Sequence, residues 1–530
     1  MKRIILLCFS LLLITSFSHS MAHGNPANEE SPIGKVSGKV LFVPLDERPV
    51  SLDYVTQTIG GTGVEVITPP RELLPNKKNA ANTDRLWQWV LEQCPQVDYL
   101  VMASDNMIYG GLIPSRIHSL DIQTLTNRVA NFSKIKKINP KAKVYIFTTI
   151  MRSPRESGST EEPDYYLTYG SKLFQYSALL DRADLGALTP AEEKRFAQLQ
   201  ADIPQAIRSD WFNRRARNLN VTKQLISLNK KGIIDYMALT RDDCAVHCAS
   251  HHDFRRLQGA FTGMPQSQFI TFPGADELGM VLLTRVTNEL AGVKPKVYIQ
   301  YAPGAGGNTL PGYEDQPLAV TVQDHIVAAG GITVAKPAEA DLILGVNSPE
   351  NGVTKEAATA HNVIQNRPGT VKFVETLQGF LQQNKKIAVA DIAFSNGADN
   401  TFMALLEKEE MLPYLKAYSG WNTCSNSVGY TLGQGMLADY MDIELQQRLL
   451  TIRYLDDWAY QANIRQAVER EVLSPLGYGQ NNLGPLEARV KDEIKTRLQT
   501  FADNHNLNVK VQDVSLPWHR AFNIKVEVEI

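Results

Sequence analysis

Short apolar runs that alternate with longer stretches of helical periodicity constrain this chain more than any other feature. The clearest runs cover residues 40–45, 64–67, 99–103, 143–148, 234–239, 268–272, 296–300, 341–346 and 386–390. They are rich in β-branched and aromatic residues and apolar at successive positions. That is the pattern of strands buried on both faces of a parallel sheet. Separated by helical spacers, such runs read as βα units. The expected fold class is therefore α/β, built of mostly parallel βα units that are either (β/α)-barrel-like or doubly wound. The number of runs does not decide between the two.

Thr189-Pro190-Ala191-Glu192 is a capping box with proline at the first helical position. It opens a charged helical insertion at about 189–231. This stretch is too long for a plain crossover and reads as a lid or a packed subdomain. Residues 486–505 read as a further helix. Residues 508–530 alternate apolar and polar, as a half-buried strand at an antiparallel edge does. A Gly/Pro-rich stretch, Pro303-Gly304-Ala305-Gly306-Gly307, marks one boundary, and a second lies near Gln434. The expected organisation is a signal peptide (1–22), a flexible leader (23–37), an N-terminal α/β domain (38–302) carrying the insertion, a second α/β region (303–434), and a helical segment with C-terminal strands (435–530).

The start of the chain predicts export. Met1-Lys2-Arg3 is basic, residues 4–17 are apolar apart from Ser10, Thr15 and Ser16, and Ser20-Met21-Ala22 offers small residues where a signal peptidase reads. The apolar run is shorter than the roughly 20 residues of a membrane span. The mature product, cleaved near Ala22, is expected to be secreted or extracytoplasmic, with no membrane span. The chain has 54 Lys and Arg against 56 Asp and Glu, and cleavage removes Lys2 and Arg3. A near-neutral, slightly acidic protein carries no electrostatic footprint for nucleic acid or anionic membrane. The expected partner is a small-molecule or glycan substrate, and no nucleic acid. Cleavage also removes Cys8 and leaves Cys94, Cys244, Cys248 and Cys424. These are too few for a disulfide scaffold, and one bridge remains open.

Polar residues gather directly after the apolar runs. Asp46-Glu47-Arg48 follows the first, Ser104-Asp105-Asn106 and then Tyr109 follow the third, and Arg152 follows the fourth. Arg241-Asp242-Asp243 and Asp276-Glu277 follow the fifth and sixth, and Asn396 follows the ninth. Gly420-Trp421-Asn422 and Asn426 come later. Parallel strands deliver their C-terminal ends to one rim, where ligands bind. Post-strand Asp and Asn are also ordinary turn formers and helix caps. Adjacent carboxylates beside an arginine are more charge than a turn requires, and like charges held together push one pKa up. Trp421, Tyr109 and Tyr165 offer flat faces for sugar rings, and Asn106, Asn396, Asn422 and Asn426 offer partners for hydroxyls. Cys244, His247, Cys248 and His251 stand close together. A transition-metal site, a local disulfide and an ordinary helix start are all open there, and the helix start is the preferred reading. There is no GxSxG elbow, HExxH or Walker loop, and no cofactor is expected.

Six ordered motifs carry a family resemblance. They are Val43-Pro44-Leu45-Asp46-Glu47-Arg48-Pro49, Tyr109-Gly110-Gly111-Leu112-Ile113-Pro114-Ser115-Arg116, Ile150-Met151-Arg152-Ser153-Pro154, Glu162-Pro163-Asp164-Tyr165-Tyr166, Pro273-Gly274-Ala275-Asp276-Glu277 and Gly420-Trp421-Asn422-Thr423. Together they resemble the bacterial "domain of unknown function" family 4127 (DUF4127), over about residues 38–530. The family label implies no activity. One departure follows Arg241-Asp242-Asp243, where a small-polar or Pro-Tyr-Gly segment is expected and Cys244 to Cys248 stands instead.

The sequence reads best as an exported hydrolase acting on a carbohydrate by carboxylate general acid/base chemistry. Asp243 is expected as general acid, Asp242 as its orienting partner, and Glu277 or Asp46 as the second carboxylate. Glu47, Arg48, Asp105, Asn106, Tyr109, Arg152, Arg241, Asp276, Asn396, Trp421 and Asn422 are expected to bind substrate. Two readings stand beside this one: a non-catalytic extracytoplasmic protein that binds a sugar or small ligand, and a metal-assisted hydrolase using Asp46, Asp105 and Asp276 as oxygen ligands.

Overall fold

A computed structural model describes residues 33–530. The expected signal segment and most of the leader lie outside the described residues. Six strands form the first sheet: β1 (Lys39–Val43), β2 (Glu65–Ile67), β3 (Tyr99–Ala103), β4 (Lys143–Ile150), β5 (Tyr236–Arg241) and β6 (Phe269–Pro273). Their order is β2-β1-β3-β4-β5-β6, and every pairing is parallel. The chain then continues through β7 (Lys296–Tyr301), β8 (Ile332–Thr333), β9 (Leu342–Asn347), β10 (Lys355–Glu356), β11 (Ile387–Asp391), β12 (Phe394–Ser395) and β13 (Ala417–Ser419). Five of these form a second parallel sheet in the order β13-β11-β9-β7-β8, while β10 and β12 make a small parallel pair.

Both sheets are open, so the doubly wound alternative holds and the barrel does not. Each is wound the same way. The first strand of the sheet lies inside, the second steps to one side, and the rest build outward on the other. That order creates a switch point beside the first strand, where the carboxyl ends open a crevice.

Alternate residues of each strand enter different cores. Val40 and Phe42 of β1 face the interior between the sheets, and Leu41 and Val43 face the outer helices. Leu342 and Leu344 of β9 face the same interior, and Ile343 faces the other side. Burial on both faces explains why the runs are apolar throughout rather than alternating. The helices Leu278–Leu290, Leu318–Ala328 and Cys424–Leu437 contribute to that shared interior. The last of these approaches its neighbours at glycines. A Cβ at Gly429 would lie 2.6 Å from the Cβ of Glu277, and one at Gly435 would lie 2.8 Å from the Cβ of Ala388.

The insertion folds as helices Pro190–Asp202 and Gln205–Lys230, with the Thr189 capping box formed as expected. With helix Tyr166–Asp184 it has a core of its own around Tyr176, Leu199 and Trp211, so it is a packed subdomain. Residues beyond 508 differ from expectation. They form an antiparallel hairpin, β14 (Lys510–Ser515) with β15 (Lys525–Glu529), apart from both parallel sheets. Helix Glu487–Asn504 packs on it. Among the described residues no helix is long and apolar enough to cross a membrane.

Gly429→Ala is expected to destabilise the protein by about 1–3 kcal/mol, because overpacking outweighs the gain in helix propensity. Gly379→Ala, where a Cβ meets nothing within 4 Å, is expected to raise the melting temperature slightly. Thermal unfolding of the two variants checks the pair.

Candidate functional site

The carboxyl ends of both sheets open on one cleft of about 360 Å³. The first sheet supplies Arg48 after β1, Arg116 after β3, Arg152 after β4, Asp242 and Asp243 after β5, and Asp276 after β6. The second supplies Tyr313 after β7 and Asn422 and Asn426 after β13, and the small β10–β12 pair supplies Asn396. A third wall comes from the C-terminal region through Gln480, Asn481, Arg520 and Phe522.

The cleft is built on guanidinium–carboxylate pairs. Arg48 Nη2 donates to Asp46 Oδ2 at 2.6 Å and to Asp276 Oδ1 at 2.5 Å. Arg116 reaches Asp242 at 2.6 Å and Glu161 at 3.0 Å. Arg152 reaches Glu162 at 2.7 Å, Asp243 at 2.8 Å and Glu161 at 3.1 Å. Arg520 also donates to Glu161. The indole of Trp518 lies 4.5 Å from both the Arg48 and the Arg520 guanidinium carbons. Its Nε1 donates to Glu47 Oε1 at 2.5 Å. Trp518 thus covers the Arg48 side of the cleft through two cation–π contacts.

Burial and like charge raise several of these acids. Asp276 is pushed up to about 6 by burial and by Asp46 and Asp242, against the pull of Arg48. Asp242 is raised by burial, with Asp243 adding to the rise and Arg116 opposing it. Burial pushes Asp105 up to about 7, although Thr149 donates to it. Glu161 goes the other way. Burial would raise it, but Arg152, Arg520 and Arg116 together hold it well below the usual carboxylate range. One rim therefore holds acids of opposed protonation preference, the arrangement that acid–base chemistry at neutral pH requires.

The lining is also strained. Asp243 (φ 31°), Asn422 (φ 61°), Asn396 (φ 58°) and Tyr313 (φ 66°) all adopt left-handed backbone, as does Trp518 (φ 60°) above them. Such positions cost about 1–3 kcal/mol each and collect at functional sites. Backbone bonds brace them: Cys244 N donates to Tyr313 O at 2.9 Å, and Asn396 N donates to Asn422 O at 2.8 Å. Gly420 N donates to Asp457 Oδ2 at 2.7 Å. Asp457 lies in a π-helical stretch, Tyr454–Ile464, and pairs with Arg453 at 3.2 Å. π-helical insertions of this kind recur beside functional sites.

Of the residues expected from sequence, Arg48, Arg152, Asp242, Asp243, Asp276, Asn396, Asn422 and Asn426 line the cleft. Asp46 and Glu47 stand behind it, holding Arg48 and Trp518. Asp105 is buried against Thr149, Asn106 donates to Pro44 O at 2.6 Å, and Tyr109 stacks on His118. Glu277 lies outside the cleft. It is fully buried at the start of helix Leu278–Leu290, with His325 Nε2 at 3.4 Å. Arg241 turns to Asp315 at 2.7 Å, and Tyr165 binds Asp210. Trp421 packs inside the core between the sheets, so Tyr313 and Phe522 are the aromatic walls of the cleft. The trio Asp46, Asp105 and Asp276 does not converge on a metal position among the described residues. Arg48 occupies Asp46 and Asp276, and Thr149 occupies Asp105.

Sequence reading does not single out Arg116, Glu161, Glu162, Tyr313, Arg520 or Trp518 as site residues. Glu161-Glu162 is an adjacent acid pair, but it stands eleven residues beyond the end of β4 with no arginine beside it, so the signal that marks Asp242-Asp243 misses it. Arg520 and Trp518 carry no local signal, because only the tertiary fold brings them in.

Burial holds Asp105 at about 7 in the folded chain, above the roughly 3.9 of an unfolded Asp. The folded chain holds this proton more tightly, so its contribution to stability is present below about pH 4 and is lost as pH rises to about 7. Asp105→Asn is expected to remove that loss, on the order of a few kcal/mol, and to be the more stable protein at pH 8. Urea midpoints of both proteins at pH 5 and pH 8 measure the difference.

Comparison with known proteins adds a family and little else. No curated protein matches the chain. The carboxyl transferase domain of pyruvate carboxylase from Rhizobium etli, solved with pyruvate, aligns at 10% identity over 92% of this chain and 67% of that one, with a TM-score of 0.14. A likeness that weak bears on neither fold nor function. A family model described as "Protein of unknown function (DUF4127)" matches residues 40–527, and the chain belongs to that family.

Proposed function

We propose that this protein is an exported hydrolase that cleaves a carbohydrate by carboxylate acid–base chemistry. The observation that carries the reading is Asp276 beside Asp242 and Asp243 at one strained rim. Asp276, raised to about 6, suits the protonated acid. Asp243, bound to Arg152 at 2.8 Å and about a quarter exposed, suits the base or nucleophile. Asp242 stands between their charges, tied to Arg116. These roles revise the sequence expectation of Asp243 as the acid and Glu277 or Asp46 as the second carboxylate. Asn396, Asn422, Asn426, Gln480 and Asn481 supply amides for hydroxyls, and Tyr313 and Phe522 supply apolar faces. The apolar leader of residues 4–17 supports export. A binding protein without turnover is the second reading. It is favoured by the pairing of each cleft arginine with a carboxylate, which leaves a largely neutralised surface for an uncharged ligand.

The purified protein is expected to release product from a member of a panel of chromogenic glycosides and cell-wall fragments. Asp243→Asn and Asp276→Asn should each lower kcat by about 10²–10⁴-fold, the usual weight of a general acid or base. Because the acid must be protonated, kcat should fall as pH rises through about 6, and Asp276→Asn should abolish that limb. Saturable ligand binding with no turnover across the panel would instead establish the second reading.

A further inference from the structure

Away from the cleft, two imidazoles converge on one buried carboxylate oxygen. His247 lies in the loop after β5, and His251 lies in the first turn of helix Ala249–Phe261. Asp181 stands in the last turn of helix Tyr166–Asp184. Asp181 Oδ2 is 3.0 Å from His247 Nδ1 and 2.9 Å from His251 Nδ1. The three donor atoms all lie within 4.8 Å of one another. The Asp181 side chain is fully buried, while the imidazoles are 32% and 22% exposed. Arg255, one turn beyond His251, occupies the other oxygen, Oδ1, through Nε at 2.8 Å and Nη2 at 2.5 Å.

We propose that Asp181, His247 and His251 form a site for a divalent first-row transition metal of the zinc class. The donor set decides the class. Calcium and magnesium take oxygen ligands, whereas two imidazoles and a carboxylate suit zinc and its neighbours. Zinc–nitrogen bonds of about 2.0–2.1 Å in a tetrahedron put ligand atoms about 3.3 Å apart. The two Asp181–imidazole spacings reach that with shifts of a few tenths of an ångström, and the imidazole nitrogens lie within 4.8 Å of each other. Solvent enters past the half-exposed imidazoles and supplies a fourth ligand, as in open three-residue sites. Arg255 fixes the carboxylate and leaves Oδ2 to the metal, the task of an outer-shell partner. Cys244 and Cys248 are not ligands. Cys244 Sγ faces Tyr313 O, and Cys248 Sγ accepts from the backbone N–H of His251 and caps the helix.

The metal would tie helix Tyr166–Asp184, which packs with the insertion, to the loop that carries Asp243, four residues before His247. Its role is to position that loop, and it rests on the donor geometry whether or not the protein is a hydrolase.

Purified protein stripped with chelator and titrated with Zn(II) alone by calorimetry tests the site. One equivalent should bind and raise the melting temperature. The His247→Ala/His251→Ala double variant should bind at least 100-fold more weakly and show no zinc-dependent rise, while melting as a folded protein without metal. Arg255→Ala should weaken binding by about 10–100-fold. Cys244→Ser/Cys248→Ser should bind as the unaltered protein does. No zinc uptake by the unaltered protein overturns the site. So does uptake that survives the loss of both histidines or disappears with the cysteines.

Discussion

Glu161 receives three guanidinium groups, from Arg116, Arg152 and Arg520, and the cleft depends on that contact. Each arginine leads elsewhere: Arg116 to Asp242, and Arg152 to Glu162 and Asp243. Arg48 makes the same kind of bridge between Asp46 and Asp276. Breaking a buried pair on one side leaves a charge without a partner, at a cost of about 3–5 kcal/mol. The links form two sets, one around Glu161 and one around Arg48, and between them they hold loops from five strands of the first sheet and the C-terminal region by charge. Such a lattice has a chemical consequence. It gathers more carboxylates than arginines, and burial among like charges raises Asp242 and Asp276.

The second sheet contributes differently. Its loops bring amides and one tyrosine rather than charge, and they bring them on left-handed backbone at Tyr313, Asn396 and Asn422. Asparagine tolerates this conformation better than most residues, and its amide still reaches across. Asn422 donates to Asp276 at 3.3 Å, and Asn396 donates to Glu356 at 2.8 Å. The buried Arg453–Asp457 pair beneath them holds Gly420 through a carboxylate oxygen. The two sheets share a winding order but divide the labour at their rims, ionic on one side and hydrogen-bonding on the other.

Much of this was legible in the chain. All nine apolar runs became strands, because burial on both faces leaves an unbroken apolar signature. The residues after those strands converge because parallel strands end at one rim. What sequence left open has physical causes. Barrel closure depends on which strands pair, and local periodicity is silent about pairing. Trp421 resembles a sugar platform beside Asn422, yet its ring turns into the core. Arg241 stands beside Asp242 as a candidate for binding substrate, yet Asp315, 74 residues away, claims it. Glu277 follows Asp276 directly, but the start of a helix turns its carboxylate inward to His325. In each case a partner distant in sequence chose the direction of a side chain whose position was already evident.

The contact between Trp518 and Glu47 joins residues 471 positions apart. Closing so long a loop adds little to the equilibrium cost, since loop entropy grows only with the logarithm of length. Its effect is on order in time. Non-local contacts form late in folding, and each sheet can assemble from its own βα units without this one. A molecule in which both sheets are complete still has Arg48 uncovered and Glu161 without Arg520. The cleft is complete only in a molecule whose terminal hairpin lies against the first turn after β1.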